Sequence, residues 1–322
     1  LGFEAIFAGL KPRVFGQPFY GGWGLTQDEN PVARRQRKLT RAQLFAATMI
    51  LYPTWYDPCR DRLCPLEDAI ATLDAQASAW RADRRGYVAT GMRLWKRKPL
   101  QQVFGREQKL RFQDDPPKAL AVAKAESRPL LVWAGKETPA HHDADVPLIR
   151  VEDGFLRSRG LGADLIPPLS LVTDDRGIYY DPTRPSRLEQ LIDEAASLSP
   201  DRLRRAERLV ANITAAHLSK YNLARPALRD LPAGHRILVP GQVEDDASIL
   251  KGCGDVRGNR ALLDAARAAN PDAVILYKPH PDVEAGLRAG ALPAADTSAA
   301  DLVLSGANPI ALIEACDEVW TM

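Results

Sequence analysis

The sequence predicts an α/β fold built from two Rossmann-type units in series, and three observations carry that expectation. Short apolar runs rich in Leu, Ile and Val recur from about residue 130 onward, each ending at a glycine, proline or acidic turn, as buried parallel strands do before a loop. Helix-start signals fall between those runs. The length of 322 residues exceeds one ordinary core and suits two domains of about 100–150 residues.

Composition narrows the class. At 45% hydrophobic and 26% charged residues, this is an ordinary globular protein, and no stretch approaches the roughly 18 apolar residues that a membrane span needs. A net charge of +2 argues against a general nucleic-acid binder. Locally, Arg34, Arg35, Arg37, Lys38 and Arg41 share a window without an acid, which suits anionic lipid or phosphate, or simply a solvated helix entry. Cys59, Cys64, Cys253 and Cys316 fit neither a disulfide framework nor zinc spacing and read as reduced, cytosolic thiols. The chain starts at Leu1 without a signal-peptide pattern, as a piece of a longer protein would.

Residues 1–26 are rich in glycine and aromatics, and a helix is expected over 40–51, where Leu44, Phe45, Thr48, Met49 and Leu51 approximate one face. Pro53, Pro58 and Pro65 break the chain before a second helix from Leu66 to about Trp80. Residues 84–112, with Trp95, Lys96, Arg97 and Lys98, read as a linker or helical bridge. Strands then follow at Leu130–Trp133 and Leu148–Val151, with shorter candidates at Leu169–Val172 and Ile178–Tyr180. Ser186 with Glu189 forms a capping box, and Ser199-Pro200 opens a basic helix to about Leu218. A second α/β unit begins near 234, with strands at Arg236–Val239, Ala273–Tyr277 and Glu318–Trp320 and helices at Asn259–Ala269 and Pro309–Ala315. Two such units in series make a GT-B-like pattern, whose ligands sit beyond the carboxyl ends of the strands.

Three segments at strand ends carry the chemistry. Gln242-Val243-Glu244-Asp245-Asp246 places three acids together, costly if buried without partners; Asp246 can equally cap the next helix. In Lys278-Pro279-His280-Pro281-Asp282 two prolines fix the backbone around His280, and the lysine and histidine suit a phosphate. Arg150–Ser158 holds Glu152, Asp153 and Arg157 around Gly154, where the backbone can turn close to a ligand, although an Arg–Glu structural pair fits as well. Lys220 and Tyr221 are weaker signals, since a helix C-terminus favours lysine and tyrosines near strand ends usually pack, as Tyr179 and Tyr180 also would.

The runs RVEDGFLRSRG (150–160), SKYNL (219–223), VPGQVEDDASI (239–249) and YKPHPDVEAG (277–286) closely resemble the KpsC/LipA capsule polysaccharide family. The resemblance implies a cytoplasmic enzyme, peripheral to the inner membrane and working with capsule biosynthesis proteins. It would be a retaining β-Kdo transferase that moves Kdo from the nucleotide sugar CMP-Kdo to a Kdo-primed phosphatidylglycerol, an anionic glycolipid, with no metal or cofactor. It implies Asp246 as the nucleophile-like carboxylate and His280, with Pro281, Gln242, Lys278 and Glu4, on the donor side. Glu152 or Asp153 would assist proton transfer or acceptor binding, and Arg157, Lys220 and Tyr221 would bind substrate.

Family members carry two transferase modules in tandem. The stretch that closes a donor site in the family stands here at the start, as Gly2-Phe3-Glu4-Ala5 and Gly16–Thr26. The expectation is therefore an out-of-phase piece of a tandem protein: 1–59 closing a donor domain, 60–112 a bridge, 113–232 an acceptor domain and 233–322 the first part of a second donor domain. Either this piece leaves both active sites incomplete, or residues 1–52 complete one by docking onto 234–322, within one chain or between two copies. The competing readings are another GT-B enzyme, such as a glycerophosphotransferase, and a non-catalytic glycolipid-binding fragment.

Overall fold

The computed structural model describes residues 1–162, 164–223 and 230–322. They form two compact units, Leu1–Ala82 and Asp83–Met322.

The first unit contains α1 (Gly2–Phe7), the short parallel strands β1 (Arg13–Val14) and β2 (Gln27–Asp28), and α2 (Arg41–Phe45), which runs on as a wide π-turn through Leu51. The hairpin β3 (Trp55–Asp57) and β4 (Arg62–Cys64) leads into α3 (Leu66–Asp83). Its small core gathers Ile6, Val14 and Leu44, with Phe3, Phe7, Phe19 and Phe45 edge-on to one another. Arg35 of the basic window is not merely solvated. It donates to the carbonyls of Pro18 and Gly21 and lies over Trp23, so it braces the glycine-rich turn.

The second unit is built on two sheets. The first has the order β6-β5-β7-β8-β9, from β5 (Val88–Thr90), β6 (Arg111–Phe112), β7 (Leu130–Trp133), β8 (Leu148–Asp153) and β9 (Leu171–Asp174), all parallel except β9 against β8. On one face Ala89, Leu131 and Val151 pack with Leu100 and Phe104 of α4 (Leu94–Phe104). On the other, Val88 and Leu130 meet Ala119 and Ala123 of α5 (Pro116–Glu126). Burial on both faces is why these strands are apolar at successive positions.

This sheet corrects the expectation that 84–112 is a bridge. Those residues supply β5, β6 and α4, and β5 lies between β6 and β7. Strand β5 is only three residues long and was therefore inconspicuous, although all three are buried. A second correction concerns Ile178–Tyr180, which form a turn and not a strand. Asp174, nearly enclosed, accepts from the backbone N–H groups of Arg176, Gly177 and Arg187 and shapes that loop.

The Ser186–Glu189 capping box opens α6 (Arg187–Ala195), and α7 (Pro200–Ala215) follows. The second sheet comprises β10 (Arg236–Pro240), β11 (Val274–Lys278), β12 (Leu302–Val303) and β13 (Glu318–Val319), parallel throughout in the order β12-β11-β10-β13. Between them run α8 (Ala247–Gly252), α9 (Asn259–Ala269), α10 (Pro281–Glu284) and α11 (Pro309–Glu314). Ile237, Val239, Ile275 and Tyr277 pack on Leu262, Leu263 and Ala266 of α9, while Leu238 and Leu276 face Leu312 of α11. The alternation follows from the two-residue period of a strand.

Candidate active site

The first wall of the site lies at the carboxyl end of β8. Asp153 Oδ2 accepts from Arg157 Nε at 2.8 Å, and Lys96 Nζ of α4 stands 3.9 Å from the same oxygen. The Asp153 N–H donates to Glu152 Oε1 at 3.0 Å. Gly154 must be a glycine here, because a Cβ would fall 2.3 Å from Ser170 Oγ. Burial pushes the Glu152 carboxyl up to about 7 against the opposing pull of Lys96 and Lys220. Burial likewise lowers Lys96 to about 8, with Asp153 and Glu152 acting the other way.

The motif at 157–160 is held against the one at 219–222. The N–H groups of Arg157 and Ser158 donate to the Lys220 carbonyl at 2.9 and 3.2 Å, Gly160 N donates to Tyr221 O at 2.7 Å, and Asn222 Nδ2 donates to Ser158 O at 3.0 Å. Arg157 is 1% exposed while Lys220 is open to solvent, so the buried arginine orders the wall and the lysine projects from it.

The second wall follows β10. After Pro240-Gly241 the Gln242 N–H donates to Asn259 Oδ1 at 2.7 Å, and Asn259 Nδ2 donates to the carbonyls of Gln242 and Gly290, each at 2.9 Å. Glu244 Oε1 accepts from Asn259 N at 2.7 Å, which satisfies an orphan donor at the start of α9. Gly290, at φ +120, leaves room for this clamp, since a Cβ would lie 2.7 Å from Gln242 O. Asp245 is taken up by Arg288 at 3.0 Å. Asp246 occupies the N-cap position of α8, yet its side chain makes no cap hydrogen bond. Among the described residues it accepts from Ser248 Oγ at 3.1 Å, and the residue is exposed.

His280 caps α10 by accepting the Asp282 N–H on Nδ1 at 3.1 Å, which leaves Nε2 as the donor. Burial first, then the charges of Lys220 and Lys278, lower its imidazole to about 4. The ring meets Tyr221 edge-on, with centroids 6.1 Å apart. Pro281 stands at the first helical position, where its fixed φ suits the helix. Lys278 opens the same segment. It is buried at the end of β11, with Nζ donating to Pro279 O at 2.9 Å and lying 3.9 Å from Glu284.

The two walls share one cleft. Burial raises the phenols of Tyr179 and Tyr180, and the charges of both Glu152 and Asp246 add to it. Tyr221 likewise responds to Asp153 and Asp246, and Lys220 acts on Glu152 and on His280. An ion pair, Lys251–Asp181 at 2.5 Å, and a hydrogen bond between His217 Nε2 and Glu314 Oε2 at 3.1 Å tie the walls.

Of the expected residues, Glu152, Asp153, Arg157, Lys220, Tyr221, Asp246 and His280 are thus brought together, while Gln242 contributes through its backbone. Glu4 belongs to the first unit, in α1, where it is exposed. Sequence reasoning missed Lys96, inside the supposed bridge, and Asn259, which read as an ordinary helix start. Tyr179 and Tyr180 passed as packing. Chemically, the site offers a carboxyl that burial pushes up to about 7, an exposed carboxylate and an imidazole that burial holds neutral.

The chain matches the family described as "Capsule polysaccharide biosynthesis protein" over residues 1–55, 134–229 and 224–322. It is 38% identical over 341 aligned residues to the capsule polysaccharide modification protein LipA of Neisseria meningitidis serogroup B, covering 100% of this chain and 47% of LipA. It therefore spans about half the length of the curated relative it matches. A 184-residue stretch is 44% identical to the lipopolysaccharide-processing protein LpsZ of Rhizobium meliloti, covering 56% of this chain and 42% of LpsZ. Among solved structures, Thermosulfurimonas dismutans KpsC, a beta Kdo 2,4 transferase, superposes with a TM-score of 0.60 at 31% identity, covering 73% of this chain and 74% of that one. The KpsC beta Kdo 2,7 transferase gives 0.56 at 29% identity, covering 73% and 72%.

Proposed function

The chain belongs to the capsule polysaccharide biosynthesis family, and from that membership we propose that it is a module of a retaining β-Kdo transferase. In this reading the two sheets of the second unit are the halves of a GT-B fold, in a protein of tandem modules. Kdo passes from CMP-Kdo to a Kdo-primed phosphatidylglycerol glycolipid and extends the linker of a capsular polysaccharide. The family resemblance and the Kdo transferases among its structural neighbours support the donor and the sugar. No helix among the described residues is long and apolar enough to cross a membrane; the proposed working place is the cytoplasmic face of the inner membrane, beside the lipid acceptor.

The observation that carries the proposal is the exposed Asp246 carboxylate, uncommitted to capping, which acts on the same tyrosines, Tyr179 and Tyr180, as a Glu152 that burial pushes up to about 7. Retention calls for two displacements. Asp246 attacks the anomeric carbon, an ester C–O bond forms, and the C–O bond to the phosphate breaks as CMP leaves. Nε2–H of neutral His280 donates to the departing phosphate without a full charge. The acceptor hydroxyl then attacks the same carbon, its proton passes to Glu152, and the Asp246 carboxylate is released. Lys220, which projects from the wall that Arg157 orders, supplies positive charge for the sugar carboxylate. No metal or cofactor enters this scheme.

The test uses the whole chain with CMP-Kdo. Wild type should form a covalent Kdo adduct visible in the intact mass and should transfer Kdo to a Kdo-terminated acceptor. Asp246→Ala should retain donor binding by calorimetry and lose both adduct and transfer. Unaltered transfer by that variant would remove Asp246 from the role.

A further inference from the structure

We propose that Lys96 is a positioning residue for transfer: its ammonium, seated on Trp133 and beside Asp153, is the fixed positive charge that lets Glu152 release its proton. The inference rests on the reading of Glu152 as the acceptor-side proton-transfer group.

The geometry places Lys96 where such a charge must act. Nζ lies 3.0 Å from the centroid of the Trp133 ring and 5.4 Å from that of Trp95, so the aromatic faces hold the cation in place. Trp133 closes β7 and pairs in register with Val151, the residue before Glu152. The Lys96 side chain is only 12% exposed, so its field is less screened than that of a surface lysine.

The local charges do not balance without Glu152. Asp153 is shared between two cations, Arg157 at 2.8 Å and Lys96 at 3.9 Å. A second negative charge is therefore favoured beside them, and Glu152 supplies it when it loses its proton. The groups that face Glu152 come from every neighbouring element: Lys96 from α4, Asp153 from its own strand, Lys220 from the 219–222 segment, and the phenols of Tyr179 and Tyr180, on which Asp246 also acts. Of the two cations, Lys220 is exposed and Lys96 is enclosed. Burial drives Lys96 down only to about 8, because Asp153 and Glu152 oppose it, so it remains mostly protonated at neutral pH. Without it, Glu152 would stay a carboxylic acid through the working range, able to give a proton but not to take one.

The experiment compares Lys96→Met and Lys96→Arg in the full chain by two readouts. One is the titration of the Glu152 carboxyl followed by carbon-13 NMR and assigned with Glu152→Gln; the other is the pH profile of Kdo transfer. The methionine variant should move the Glu152 titration, and the acidic limb of the rate profile with it, upward by about one unit, and arginine should restore both. Where the methionine variant does not fold, Lys96→Gln serves the same comparison. A Glu152 titration unmoved in a folded, uncharged variant overturns the proposal. A titration that moves while Glu152→Gln keeps full transfer activity upholds the coupling and instead overturns the catalytic role given to Glu152.

Discussion

Lys251 Nζ of α8 lies 2.5 Å from Asp181 Oδ2 in the loop after β9, so one ion pair joins the segment after the acidic turn to the wall that carries Tyr179 and Tyr180. Asp181 is 6% exposed and Lys251 44%. Burial of the Asp181 carboxyl is outweighed by hydrogen bonds from Lys251 and Thr183, which bring it down to about 2. Lys251→Ala is expected to cost about 1 kcal/mol in urea unfolding at pH 7 and to weaken donor binding by calorimetry. The stability difference should vanish as pH falls through about 2, where the protonated carboxyl no longer holds the lysine.

Glu152 makes an opposite prediction. Its carboxyl is raised from 4.5 to about 7 by burial, so its stabilising contribution is complete below about 4.5 and is lost as pH rises through about 7. Glu152→Gln should therefore gain stability relative to wild type on going from pH 4.5 to pH 8, by about 3 kcal/mol. Thermal unfolding at both pH values measures the difference; a constant offset would show that the carboxyl is not shifted.

His280 should show no titration between pH 5.5 and 8. Its imidazole is lowered from 6.5 to about 4, and Nδ1 is occupied by the Asp282 N–H. Proton NMR of the His280 ring, assigned with His280→Gln, tests this directly. A midpoint well above 7 would mean that the ring is charged at neutral pH and would replace the neutral donor of the proposed scheme with a cation.

Asn259 ought to be among the most sensitive positions outside the cleft itself. It is 1% exposed and its side chain makes three hydrogen bonds to the backbone of Gln242 and Gly290. Asn259→Ala leaves those groups buried without partners, at a cost of about 3 kcal/mol in chemical denaturation. Asn259→Asp keeps the acceptor for Gln242 N and loses the donors. It should unfold between the two and bind donor less well than wild type.

The alternation of short apolar strands and capped helices made the two-sheet layout legible, because a strand buried on both faces must be apolar at consecutive positions. The segments 150–158, 242–246 and 278–282 stand at the ends of β8, β10 and β11, as their place after apolar runs indicated. Strand β5 escaped because three residues cannot show a period, and Lys96 escaped with it. Asp246, Asp245 and Glu244 look alike in the sequence, but the fold gives them different partners: Ser248, Arg288 and the start of α9.

By itself, then, the sequence determined the α/β class, the strand ends that carry polar groups and the family to which these motifs belong. Those features are local and follow from periodicity, caps and turns. Only the tertiary structure decided which acid of the run pairs with Arg288, that Lys278 turns inward to Pro279 and Glu284, and that Lys96 and Lys220 act on Glu152 from different elements. Burial and charge proximity are sums over residues far apart in the chain, and no spacing within one segment encodes them.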